Sequence, residues 1–211
     1  MKHIERTGEP LAFTEWVKDH PGAKWEDFSS GEPVLYRTCR QQLLDEQQGI
    51  SGYTELPLAD DDQHIDHFRK KGMFPKQTFD WMNYVVDTKD EPKYGAGFKD
   101  KNISKPEDYD KIINPMLEDP HQYITYLSNG QIVPRCGLDE KDTERAKFTL
   151  DIFNLQCEAL RKRREELMAL FKAYGTMNPD EVAQILKDCG QGFHSLLEYC
   201  ANEAKKENNN Q

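Results

Sequence analysis

Gln63-His64-Ile65-Asp66-His67-Phe68 reads as a short β-strand that ends in an Asp-His pair, and the fold is read outward from it. Ahead of it, TELPL at 54–58 has the same short extended character. The polar turn Ala59-Asp60-Asp61-Asp62 joins the two, so they are predicted to pair as a hairpin. Behind the strand, Arg69 to Pro75 is a loop, and TFDWMNYVVD then resumes apolar character with Phe79, Trp81, Tyr84, Val85 and Val86. KYGAGFKDKN at 93–102 follows as a glycine-containing loop, and PEDYDKIINPMLEDP predicts a short helix near 106–118 closed by prolines.

The flanks are helical in pattern. Residues 1–31 read as an extended arm, broken by Pro10, Pro21 and Gly22, with Trp16, Trp25 and Phe28 as anchors. Pro33 then opens a helix to about Gln48 with Leu35, Cys39, Leu43 and Leu44 at helical spacing. In QYITYLSNGQIV the Asn129-Gly130 pair predicts a hairpin with a type I′ turn near 123–134. Two helices broken near Asn154 are expected from Asp139 to Tyr174. Another starts at Asn178-Pro179-Asp180-Glu181, and a last one holds Phe193, Leu196, Leu197 and Tyr199. The expected organisation is an arm and helix at 1–48, a core with hairpin at 49–135, a helical region at 136–206 and a disordered tail at 207–211. The fold class is α+β, with a small β-containing core in a mainly helical protein.

Composition narrows the function classes. A charged fraction of 31%, a mean hydropathy of −0.88 and no long apolar run exclude a helical membrane span. MKHIERTGEP has no apolar signal region, so a cytoplasmic protein is expected. Cys39, Cys136, Cys157, Cys189 and Cys200 are widely spaced and form no C-x-x-C pair, which points to reduced thiols rather than a disulfide framework or zinc knuckle.

An Asp-His pair at a strand end, an Asn sixteen residues on and a further polar group beyond it are the parts of a one-metal site that cuts phosphodiesters. Asp66 supplies the anionic oxygen that Mg²⁺ or Mn²⁺ prefers, and neutral His67 is suited to take the proton of attacking water. Asn83 would hydrogen-bond across the loop, Asp100 is the expected second metal ligand with Asn102 behind it, and Lys99 the expected phosphate contact. The net charge of −10 opposes polyanion binding unless charge is segregated or a partner supplies the surface. The candidate basic residues are Arg69, Lys70, Lys71, Lys99 and Lys101, then Lys93, Lys105 and the run Arg161 to Arg164.

Each residue has a plainer reading: a chance Asp-His pair, a turn or cap at Asn83, a surface ion pair at Lys99-Asp100, a structural or phosphate-facing His64, a solvated helix at Arg161–Arg164. Only the combination points to cleavage.

The order MKHIERTGEP, LLDEQQGISGYTE, HIDHFRKKGMFP, TFDWMNYVVD, KYGAGFKD, INPMLEDPHQYITYLSNGQIVP and LDIFNLQCEALRKRR resembles HNH endonucleases over about residues 1–165. The similar branch is the one known as PtuB in Septu anti-phage systems and in related retron cassettes. The resemblance implies a ββα-metal core, a divalent metal, a PtuA-like ATPase partner and DNA, phage or plasmid, as substrate. It carries the metal-ligand role to Asp66, the general-base role to His67 and the middle motif position to Asn83. Where relatives have C-x-Y-C, this chain has Ile50-Ser51-Gly52-Tyr53-Thr54, and a later cysteine pair is missing near YGAGFKD. Structural zinc is therefore not expected, and apolar packing is expected to hold the hairpin. YGAGF also lacks the His or Asn of the third position. The rival readings are a non-catalytic interaction subunit with a decayed site and an RNA-cutting toxin.

Overall fold

A computed structural model describes residues 1–89 and 91–209, and the protein it shows is α+β. The first 48 residues are not simply an arm and one helix. Leu11–Asp19 (α1) and Trp25–Ser29 (α2) are helical, and Pro33–Glu46 forms α3, with Pro33 in the first turn where a missing N–H costs nothing. Phe13, Trp16 and Phe28 do anchor this region. Phe13 and Phe28 meet edge to face at 5.2 Å, the geometry that aromatic quadrupoles favour.

Gln63–His67 (β1) does not pair with TELPL. It pairs antiparallel with Tyr84–Thr88 (β2), in register from Gln63 opposite Thr88 to His67 opposite Tyr84. TELPL contributes a single bridge, Ile50 to Pro57, because the chain from Ser51 to Leu56 folds back on itself. Ser51 N–H donates to Leu56 O at 2.8 Å, Glu55 takes a φ of 61°, and Pro57 has no N–H to add to a ladder.

The strand pair lies between two apolar clusters. Ile65, Tyr84 and Val86 pack with Phe13, Trp16, Phe28, Cys39 and Leu43 of α1 to α3. Val85, on the opposite face, joins Tyr53, Phe68, Ala96 and the C-terminal helices. Two covered faces explain why YVV is continuously apolar. The free edge of β2 is closed by the carboxamide of Gln47, which accepts from Val86 N–H at 2.8 Å and donates to Val86 O at 2.8 Å, as a third strand would.

The expected glycine loop is instead largely a helix, Gly95–Asn102 (α4), packed on β2. The helix expected near 106–118 shrinks to a tight turn of 3-10 helix at Pro106–Lys111. Ile124–Tyr126 (β3) and Ile132–Pro134 (β4) form the expected second hairpin, but its turn is not type I′. Gly130 alone there has a positive φ, of 78°, and its N–H returns to Leu127 O at 3.0 Å, a type I turn closed by a left-handed glycine.

Glu140–Ile152 (α5) and Glu158–Ala173 (α6) are separated at Asn154, whose φ is 49°. Pro179–Asp188 (α7) starts on the Asn178 side chain, which accepts from Asp180 and Glu181 N–H. His194–Asn209 (α8) runs through the first residues of the expected disordered tail. Asn210 and Gln211 lie outside the described residues. All five cysteines are free, and burial raises the Cys39 thiol to about 12. No helix among the described residues is long and apolar enough to cross a membrane.

Candidate functional site

Successive side chains of a strand point to opposite faces, so β1 sends Asp66 toward α4 and His67 toward the N-terminal helices. The ring of His67 stands edge-on to Trp25 of α2 at 4.4 Å and to Tyr84 at 5.3 Å between centroids. Its Nε2 lies 3.0 Å from Thr78 O. A carbonyl only accepts, so Nε2 carries the proton and Nδ1 keeps its lone pair. Among the described residues Nδ1 has no hydrogen-bond partner, and it is not sealed from solvent. Burial holds the His67 pKa below 6.5, outweighing the Thr78 carbonyl and the charge of Asp66, which favour the protonated ring. The residue is only 8% exposed.

Asn83 closes the loop between the strands from within. Its Oδ1 accepts from Arg69 N–H at 2.7 Å, and its Nδ2 donates to Arg69 O at 3.0 Å and Gln77 O at 3.1 Å. Phe68 N–H donates to the Asn83 carbonyl at 2.8 Å. A sixteen-residue excursion is thereby held at both its ends by one buried amide.

On the other face, the side chain of Lys99 has 0% exposure and lies against Asp66. Its Nζ donates to Asp66 Oδ2 at 2.5 Å, His67 O at 2.8 Å and Phe68 O at 3.2 Å. Tyr53 O–H, 2.6 Å away, gives the same Asp66 oxygen a second donor, and the Tyr53 ring stacks on Phe153 at 4.4 Å. Lys99 is therefore an internal cation, not a surface phosphate contact or a surface ion pair.

Asp100, 47% exposed at its side chain, reaches the same ammonium at 3.4 Å. Among the described residues the Asn102 side chain bonds back to Phe98 O alone, at 2.8 Å. Asp66 and Asp100, the expected metal-ligand pair, thus have a protein cation between them. Among the described residues no group of three or more His, Cys, Asp or Glu side chains converges as a metal site. The donor set does not fit a divalent ion as it stands.

Polar side chains tie the Ser51 turn to α4. Ser51 O–H donates to Asp87 at 2.5 Å, and Asp87 accepts from Ala96 N–H at 2.6 Å, at the positive end of the helix. Burial nevertheless raises the Asp87 pKa. A side chain at Gly95 would meet Asp87 at 2.4 Å, and the φ of 66° there also requires glycine. So this brace is polar as well as apolar. His64 Nδ1 sits 3.1 Å from Asp87 O.

The remaining basic residues are spread out. Arg69 pairs with the exposed Asp110 at 3.2 Å and lies over Phe74, while Lys70 closes the C-terminal end of α4 on the Asp100 and Ile103 carbonyls. Lys71 pairs with Glu26 of α2 at 2.6 Å, and Lys101 is exposed. Arg161 is held by Glu158 and Glu165, and Arg164 is buried, donating to Gly130 O and Leu155 O, so that run is only partly a solvated face. An open groove of about 520 Å³ is lined by His20, Lys24, Trp25, Lys71, Thr78 and Phe79; Trp25 and Thr78 stand between it and His67, which does not line it. Trp25 and Tyr53 carried no motif that marked them for this site, and Thr78 acts through its backbone, which no residue type encodes.

No family model matches the chain. A curated Escherichia coli protein named "Retron Ec83 putative HNH endonuclease" is 25% identical over 207 residues, covering 81% of this chain and 80% of the relative. The resemblance to retron-associated HNH endonucleases is borne out by a match of that extent.

Proposed function

We propose that this chain is a phosphodiester hydrolase of the HNH type that cuts DNA as the effector of an anti-phage system, working with a PtuA-like ATPase. The observation that carries the reading is His67, neutral, with Nε2 fixed on Thr78 O and Nδ1 left as the free base. The order β1, Asn83-braced loop, β2, α4 supports it as the ββα core of that family. Nδ1 takes a proton from water as the water oxygen attacks phosphorus; the bond from phosphorus to the sugar oxygen breaks, and that oxygen is protonated from solvent. Arg69 and Lys71 are each paired with an exposed carboxylate, and water screens such surface pairs, so either side chain can exchange it for a phosphate. Mg²⁺ or Mn²⁺ on Asp66 and Asp100 does not fit the site as it stands, and no step is assigned to it.

Dependence on a partner is supported by the acidic balance and by α2, whose Trp25 covers His67. The ammonium between Asp66 and Asp100 favours a second reading, an interaction subunit with an idle site. Plasmid cleavage tests both, with and without divalent metal, for wild type and His67→Ala, alone and with a PtuA-like ATPase. Cleavage lost in His67→Ala is expected. Equal cleavage by that variant removes the base assignment, and no cleavage by any protein supports the idle site. A tRNA pool in parallel separates an RNA target.

A further inference from the structure

We infer that the ammonium of Lys99 takes the place of a divalent cation at Asp66, so that the site carries its own fixed positive charge and excludes a metal there. A lysine ammonium has three N–H donors, and here the three acceptors are one carboxylate and two carbonyl oxygens, Asp66 Oδ2, His67 O and Phe68 O. Asp100 Oδ1 at 3.4 Å is a fourth oxygen around the same point. Hard oxygens gathered on one side are the donor set that Mg²⁺ selects. The other side is aromatic: Nζ lies 5.5 Å from the centre of the Tyr53 ring, which suits an ammonium and offers nothing to a hydrated metal.

Burying this charge unpaired would be prohibitive, so its satisfied state fixes where it sits. Asp66 then faces a cation on Oδ2 and a phenol O–H on the same atom, and its charge is already balanced. A doubly charged ion on the remaining oxygen would stand within one carboxylate of Lys99, in a region of weak screening, and would be repelled. Lys99 has no access to solvent, so it touches no reacting phosphate. It is a positioning residue: by gripping the carbonyls of His67 and Phe68 it ties the end of β1 to α4 and sets the direction in which the His67 ring leaves the strand.

The inference concerns the core and goes beyond the polymer that is cut. Its test is Mn²⁺ binding to the full chain, followed by calorimetry and by the electron spin resonance of the ion, for wild type, Asp66→Asn, Lys99→Gln and the double variant. Wild type is expected to show no saturable Mn²⁺ binding that depends on Asp66, and an unchanged Tm with chelator. Lys99→Gln is expected to gain a saturable site that Asp66→Asn removes again. Saturable wild-type binding lost in Asp66→Asn overturns the inference. So does a folded Lys99→Gln protein that gains nothing, since the exclusion would then have another cause. The wild-type titration decides alone if Lys99→Gln fails to fold. A chain that cuts nothing and binds no Mn²⁺ loses the nuclease reading and keeps this one; a chain that cuts only through an Asp66-bound ion does the reverse.

Discussion

Asp66 and His67 are neighbours in sequence and do not share an environment. One meets Lys99 and Tyr53, the other Trp25 and Tyr84. A strand produces that division automatically, and the division makes His67 a neutral base: burial on the Trp25 side costs the imidazolium more than Asp66 returns. Two consequences for pH follow. The acid limb of the cleavage profile is expected to have its midpoint below pH 6.5, because the folded-state pKa is depressed. The unfolded chain binds its proton first as pH falls, so His67 contributes nothing above both pKa values and removes stability as pH drops through 6.5. A pH–rate series on the active complex checks the first, and a midpoint above 6.5 would contradict the environment described.

At the level of elements, β2 is held on both edges, by β1 in a ladder and by Gln47 in a single rung. Gln47→Leu keeps the volume and removes the rung, taking the carboxamide partner from Val86 N–H and Ile50 O in a dry interior, while Val86 O keeps Gly52 N–H at 3.1 Å. The expected loss is about 2–4 kcal/mol of stability, read from urea unfolding. A loss near zero would mean that water reaches the β2 edge. The partner of β1 differs from the nearest candidate in sequence for a related reason. A four-residue polar turn before β1 made TELPL the nearer partner, whereas the long connection to β2 is favourable only because Asn83 fixes it through Arg69 and Gln77.

Over the whole molecule, 38 acidic residues face 28 Lys and Arg, and the basic side chains nearest the site are engaged by carboxylates or backbone carbonyls. The purified chain alone is therefore expected to bind duplex DNA weakly at physiological salt with a shallow salt slope, since few phosphates gain a free cation. Fluorescence anisotropy across a salt series checks this. Tight binding by the lone chain would contradict the charge distribution and remove one reason to invoke a partner. The N-terminal helices are the second reason, since α2 covers His67 through Trp25 and is fastened at its surface by Glu26 and Lys71.

Much was legible in the sequence because its causes are local. The caps and spacing of α3 and α7, the break at Asn154, the hairpin around Gly130, the strand ending in Asp66-His67 and the bonding of Asn83 across its loop all rest on residues near one another in the chain. What only the tertiary structure decided depends on groups far apart: the partner of β1, the helices within the supposed arm, the cover of Trp25 over His67, and the burial of Lys99 and Arg164. A lysine or arginine reads as surface charge in any window of sequence. Whether it becomes an internal cation is set by which carboxylates and carbonyls the fold brings around it, and for Lys99 those lie more than thirty residues away.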